Sequence, residues 1–257
     1  MDLLVDYLIT NDDGIDADGL QFLYREVCHQ IGSSAKVAVV APDSVRSCCS
    51  HGVTTAEALR VERVAEQMWK VSGTPADCVR VALKGLRIQP QWILSGVNEG
   101  GNLGVDIHYS GTAAGAREAA LLGHRSFALS QYLRRDRPRN WQLSAQRALH
   151  AVRELQSQVC PIGHFWNVNL PVVDGTEVPL PIRMVEPEPQ MLAFDYEAVP
   201  EPQWSEPRFE SVGGRSVQWL KYRSNYQDRP REIAKDVATC FAGSITATCL
   251  AVQLANK

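Results

Sequence analysis

The sequence has no long apolar run, no excess of basic residues, no paired-cysteine motif and no internal repeat. Each absence excludes a class of protein. A membrane-spanning helix needs about 20 mostly apolar residues in succession, and no such stretch occurs, so no membrane partner is expected. The chain opens Met-Asp and reaches Asp6 before any long apolar run, unlike a secretory signal. A formal net charge of -3 supplies no basic footprint, which argues against duplex nucleic acid as a partner. The 7 cysteines (28, 48, 49, 78, 160, 240 and 249) are odd in number and scattered without a CxxC, as expected in a reducing compartment. The cytoplasm is therefore the expected location. No His or Cys pair has zinc-ligand spacing. The Walker pattern is missing and no GxGxxG follows the first strand, so kinase and dinucleotide readings lose their usual support.

What is present is an ordinary globular composition, 45% hydrophobic and 21% charged over 257 residues, enough for one large domain or one domain with an appendage. Leu3 to Thr10 reads as a strand buried on both faces, as in a parallel sheet. It stops at Asn11-Asp12-Asp13-Gly14. Leu20, Leu23, Tyr24, Val27, Cys28 and Ile31 then recur at helical spacing, with Asp18 as the expected cap and Gly32 as the stop. Lys36 to Val40 is a second strand whose following loop carries Arg46, Ser47, Ser50 and His51. Alternation over Leu59 to Val64, then Met68 to Val71, predicts an antiparallel excursion. Thr74-Pro75-Ala76-Asp77 opens a capped helix that Gly85 closes. Trp92 to Ser95 is a third parallel strand leading into the glycine-rich Gly96 to Gly104. Tyr109-Ser110-Gly111-Thr112 runs into a helix of small residues whose free amides suit an anion. Phe127 to Ser130 and Phe165 to Pro171 read as further strands, with a helix from Trp141 to Val159 between them. Arg134, Arg135, Arg137 and Arg139 suggest a solvated loop or a phosphate-attracting rim. Prolines from 179 to 207 predict hairpins and extended arms. The tail, 238 to 252, combines a glycine break with β-favouring residues.

In an open parallel sheet, ligands collect beyond the carboxyl ends of the strands. Three such loops and one helix start supply Asp12, Asp13, Ser47, Asn98, Ser110 and Thr112. Two adjacent carboxylates repel, and an oxygen-preferring cation such as magnesium or manganese relieves that. Singly, each residue has a plainer reading: Asn, Asp and Gly make turns, Ser47 is a loop serine, and Ser110 and Thr112 are caps. An aspartyl-phosphatase would carry Asp-x-Asp directly after the first strand, and Asp16-x-Asp18 comes too late.

Thr10-Asn11-Asp12-Asp13-Gly14, Val40-Ala41-Pro42-Asp43 with Arg46-Ser47, Gly73 to Val79, Ser95-Gly96-Val97-Asn98 with Gly101-Asn102-Leu103-Gly104, and Tyr109 to Thr112 resemble the SurE family of 5'/3'-nucleotidases. The five motifs fall in family order over residues 1 to 130, and Asn167 to Pro171 and Asp236-Val237 extend the match weakly. The resemblance implies a divalent-metal phosphomonoesterase acting on nucleoside monophosphates or other small phosphate esters. It implies an α/β, Rossmann-like three-layer sandwich with a mostly parallel sheet, plus a β-hairpin or extended C-terminal arm that builds homodimers or homotetramers. A single domain over 1–257 is expected, with its core at about 1–175 and the arm at about 176–257. Asp12, Asp13, Ser47 and Asn98 match the family's metal ligands for one Mg²⁺ or Mn²⁺. Asn102, Ser110, Gly111 and Thr112 match its phosphate-side segment. One departure stands out: the family's usual Ser-Gly-Ser-Ser-His-Ser is here Ser47-Cys48-Cys49-Ser50-His51-Gly52.

The expected chemistry is attack of a metal-activated water on phosphorus, with Asp12 and Asp13 as catalytic carboxylates and His51 as a candidate general acid. Two alternatives belong to other classes. One is a catalytically silent nucleotide- or polyphosphate-binding protein of the same fold. The other is a zinc or thiol hydrolase built on Cys48, Cys49 and His51.

Overall fold

A computed structural model describes residues 2–32, 36–176, 178–200 and 218–252. Its centre is a sheet whose described strands run β3-β4-β2-β1-β5-β6-β7-β11-β8. The strands are β1 (Leu3–Thr10), β2 (Val37–Pro42), β3 (Val61–Ala65), β4 (Met68–Val71), β5 (Ile88–Glu99), β6 (Ser126–Gln131), β7 (His164–Leu170), β8 (Ile182–Met184) and β11 (Ile245–Ala251). Neighbours from β4 through β7 are parallel. Strand β3 is antiparallel to β4, and β11 is antiparallel to β7. The antiparallel excursion expected at 59–71 is thus an edge of the main sheet.

Period-two alternation sends successive β1 side chains to opposite faces. Tyr7 and Ile9 join one core with Leu20, Leu23, Leu149 and Val152, while Leu8 joins another with Cys78, Val79 and Ala82. The first core lies under α1 (Asp18–Ile31) and α4 (Trp141–Gln156), and the second under α2 (Pro75–Arg80). Helix α3 (Gly111–Leu121) covers the second face further along, through Ala113, Ala116 and Ala120. Helices on both faces of a mostly parallel sheet make the three layers that the family resemblance implies.

Strand order fixes where chemistry is possible. The chain leaves β1 for β2 on one side and returns to β5 on the other. That reversal is the switch point at which ligands of open α/β sheets bind, at the carboxyl ends of β1 and β5, where Thr10 pairs with Ser95. Asp12 and Asp13 follow directly.

Several expectations need correction. Asp18 is not the cap of α1: Ala17 holds that position without a side-chain bond, and Asp18 lies in the first turn, where its charge meets the positive helix end. Strand β5 is longer than expected and takes in Gly96, Val97 and Asn98. Helix α4 stops at Gln156, leaving Val159 88% exposed rather than buried. The tail returns to the core, since α5 (Asp236–Phe241) buries Val237 and Cys240, and β11 buries Ile245 and Ala247. Outside the main sheet stands the antiparallel hairpin of β9 (Asp195–Val199) and β10 (Trp219–Arg223). The rest of the expected arm, with Pro202 and Pro207, lies outside the described residues.

Candidate active site

The loop after β1 is turned back by its own residues. The Asn11 side-chain amide donates to the Gly14 carbonyl at 2.8 Å, and Gly14 adopts a φ of +98°, open to glycine at little cost. This turn places Asp12 and Asp13 at the switch point. Asp12 is 5% exposed. Its carboxylate accepts from the Thr112 hydroxyl at 2.5 Å and from the Thr112 backbone amide. The expected anion seat at the start of α3 therefore holds an anion in this structure, the Asp12 carboxylate. Ser110 caps the same helix, its hydroxyl accepting from the Ala113 amide at 2.9 Å.

Gly111 makes this contact possible. A Cβ there would lie 2.8 Å from Asp12 Cβ, 2.9 Å from Asp12 Oδ2 and 2.8 Å from Cys49 Sγ. The helix start, the acid and the thiol are thus packed against one another.

The other two loops are stitched to the acids through backbone. The Arg46 amide donates to the Asp12 carbonyl at 2.7 Å, bringing the Ser47 loop in. The Glu99 amide donates to Asp13 Oδ2 at 2.9 Å, bringing in the end of β5 beside Asn98. The Asn98 side-chain NH₂ donates to the Gly100 carbonyl at 2.7 Å, which leaves its amide oxygen for another partner. Ser47 is exposed, and its hydroxyl makes no hydrogen bond among the described residues. Asn102 is held away from the acids: its side chain donates to Ser130 Oγ at 2.8 Å, its amide to Asn169 Oδ1 at 2.7 Å, and its carbonyl accepts from Asn167 and Asn169. Its role in this structure is to anchor the glycine-rich loop.

Burial pushes the Asp12 carboxyl up to about 6, with the Thr112 hydroxyl opposing the rise and the charge of Asp13 adding to it. Burial also raises Asp13, opposed by the Glu99 amide. Among the described residues no Lys, Arg or His pairs with either acid. Two adjacent, partly desolvated carboxylates without a cationic side chain, together with an amide oxygen, form a donor set that fits a hard divalent cation. Asp12, Asp13 and Asn98 would hold it. The described residues contain no group of three His, Cys, Asp or Glu side chains that could hold a metal, which removes the support for a zinc site on Cys48, Cys49 and His51. Burial and the neighbouring Asp12 also raise the Cys49 thiol, which keeps it from being a nucleophilic thiolate.

His51 does not point its Nε2 at the acids. That nitrogen lies 2.8 Å from Glu118 Oε2, and Glu118 Oε1 accepts from Arg80 Nε at 2.5 Å. Glu118 is buried, and although burial alone would raise its carboxyl, the bonds from His51 and Arg80 hold it below the usual range. The Ser50 hydroxyl donates to the His108 carbonyl at 2.9 Å, and Thr74 Oγ1 donates to the Gly52 carbonyl at 2.7 Å. Together these bonds fasten the Ser47 loop onto α2 and α3.

Sequence reasoning missed Glu118 and Arg80, which carry no motif, although a lone acid in an alanine-rich helix is a usable signal. It named Asn167, Asn169 and Asp236 only as a weak extension of the family match, without a role. Asn167 and Asn169 are two apart on one strand and so share a face. In the tail, which was not given a role either, Tyr226 Oη donates to the Gly101 carbonyl, Arg229 to the Leu103 carbonyl, and Asp236 accepts from the Gly104 amide at 2.7 Å.

Fold and site together define a Rossmann-like α/β protein with an acidic oxygen-ligand site at its sheet switch point. A family model described as Survival protein SurE matches residues 7–187, and the chain belongs to that family. A Synechocystis sp. protein described as "Putative 5'-nucleotidase alr3139" is 36% identical over 248 residues, 96% of this chain and 100% of that protein. The 5'-nucleotidase SurE of Gemmatimonas aurantiaca is 38% identical over 217 residues, 82% of each chain. The crystal structure of SurE protein from Aquifex aeolicus superposes with a TM-score of 0.78 at 29% identity, covering 98% of this chain and 95% of that one.

Proposed function

We propose that this protein is a 5'-nucleotidase, a phosphoric monoester hydrolase that releases phosphate from nucleoside 5'-monophosphates, with 3'-monophosphates as a second substrate. The reading rests on SurE membership, on relatives bearing the name 5'-nucleotidase, and on one observation of this chain: the uncompensated pair Asp12 and Asp13 at the switch point, against the start of α3. One Mg²⁺ or Mn²⁺, bound by Asp12, Asp13, Asn98 and Ser47, would supply Lewis-acid polarisation of the phosphoryl group and a more acidic water.

The chain's own residues do the rest. With the Thr112 hydroxyl and amide committed to Asp12, the Ser110 hydroxyl, which only accepts within the helix cap, is left to donate to the non-bridging oxygens where charge grows. Gly111 keeps that approach free of a side chain. Asp13, fixed by the Glu99 amide, is placed to orient the attacking water. Asn102 holds the glycine-rich loop against β6 and β7. His51, committed to Glu118, positions the Ser47 loop rather than protonating the leaving group. We also propose that the β9–β10 hairpin builds a homodimer or homotetramer.

Phosphate release from adenosine monophosphate, with and without chelator, tests the core reading. Chelator should abolish turnover, and Asp13→Ala should lower it by about 10³-fold or more even in saturating manganese. Near wild-type activity of Asp13→Ala would refute the reading. Metal-dependent nucleotide binding without release would instead establish the silent binding protein, a reading that the Cys49 sulfur packed on the start of α3 keeps in play.

A further inference from the structure

Far from the acids, two thiols face each other across the end of the sheet. Cys160 lies in the segment before β7, and Cys249 lies on β11, the strand that closes the core. Their sulfurs are 3.7 Å apart, and both residues are partly buried at the margin of the main hydrophobic core. No pairing of these residues follows from the sequence, since 89 positions separate them. A disulfide needs a sulfur separation of about 2.05 Å, so closure asks for an approach of roughly 1.7 Å from the present 3.7 Å.

We infer that Cys160 and Cys249 form a covalent modification site, a dithiol that small disulfides convert to an intramolecular bond joining β11 to the segment leading into β7. One sulfur, as thiolate, attacks a low-molecular-weight disulfide and expels one thiol. The second sulfur then displaces the other small thiol and closes the Cys160–Cys249 bond. The two protein thiols lose two electrons and two protons, and the small disulfide gains them as two thiols. Burial and the adjacent Cys249 push the Cys160 thiol up to about 12, which leaves little Cys160 thiolate and makes its attack on the small disulfide slow.

The other neighbouring cysteines are placed differently. Vicinal Cys48 and Cys49 lie on the Ser47 loop at the acids, Cys78 and Cys240 are fully buried, and Cys28 lies on α1. Closing the 160–249 bond would tie down the strand that ends the described chain and leave the acids untouched. Its expected effect is on stability rather than on turnover.

The test uses the full chain, equilibrated with graded ratios of oxidised and reduced glutathione, then alkylated and mapped by peptide mass spectrometry. Support is a cross-linked peptide pair containing Cys160 and Cys249, two mass units lighter than its reduced parts. Support also requires a Tm several degrees higher and unchanged phosphatase turnover per molecule. Cys160→Ser and Cys249→Ser should each abolish the Tm rise, and either variant alone suffices if the other folds poorly. Full alkylation of both thiols after oxidation, or a cross-link at 160–249 that lowers Tm, would overturn the proposal. Loss of nucleotidase activity in the reduced protein would bear on the proposed function and not on this site.

Discussion

At the scale of single residues, Gly111 is the glycine that packs directly against Asp12. Any side chain there meets Asp12 and Cys49 at under 3 Å. Gly111→Ala should destabilise the protein by about 2 kcal/mol through overpacking. It should also lower turnover by roughly 10²-fold, because the acid and the helix start must part. Adding Cys49→Ala to Gly111→Ala should restore part of the lost stability. A single Gly111→Ala variant with normal melting and kinetics would contradict this packing.

Asp12 makes a second residue-scale prediction. Its folded pKa, about 6, lies above the ordinary carboxylate value of 3.8, so the folded protein holds this proton more tightly than the unfolded chain. The resulting stability is fully present below about pH 4 and is lost as pH rises to about 6, by on the order of 3 kcal/mol. Other carboxyls, such as Glu118, run the opposite way, so the comparison must be with Asp12→Asn. In chelator, urea midpoints should show wild type losing ground to Asp12→Asn between pH 4 and 7, and saturating manganese should reverse that gap at pH 7. Parallel curves would show that Asp12 is not strained as described.

Among the elements, the glycine-rich loop and α5 depend on each other. Asp236 is fully buried and accepts from the amides of Gly104, Glu188 and Val237. Burial raises its carboxyl, and those three amides work against the rise. Asp236→Ala should cost about 3 kcal/mol by leaving buried amides unpaired, and Asp236→Asn should cost less. Loosening Gly104 should raise KM more than it lowers kcat, measured with adenosine monophosphate. Unchanged KM at reduced stability would confine Asp236 to a folding role. The sequence offered only Asp236-Val237 as a weak echo of family pattern, because the bond spans 132 positions and no local period encodes it.

For the molecule as a whole, the described part of the β9–β10 hairpin stands apart from the main sheet and exposes Phe194, Tyr196, Leu220 and Tyr222 by half or more. Phe194 and Tyr222 stack with ring centroids 5.5 Å apart. A two-stranded ribbon is marginal alone, and an exposed aromatic surface favours a covering partner. If the proposed assembly forms through this hairpin, Tyr196→Glu combined with Tyr222→Glu should lower the mass seen by light scattering toward that of a monomer. Retention of the wild-type assembly would place the interface elsewhere. Among the described residues no helix is long and apolar enough to cross a membrane.

By itself the sequence determined most of the strands and helices up to β7 and the presence of an acid pair just after β1. Buried strands announced themselves as apolar runs, Thr74 to Asp77 announced a capping box that forms as read, and Asp12-Asp13 announced a carboxylate pair. These are local signals of period, capping and charge, written within a few residues. Only the tertiary structure decided that β5 and not β2 forms the switch point with β1, that Asp12 occupies the start of α3, that His51 is committed to Glu118, and that the tail closes the sheet as β11. Those outcomes depend on strand order and on contacts between distant residues, which sequence periodicity does not encode.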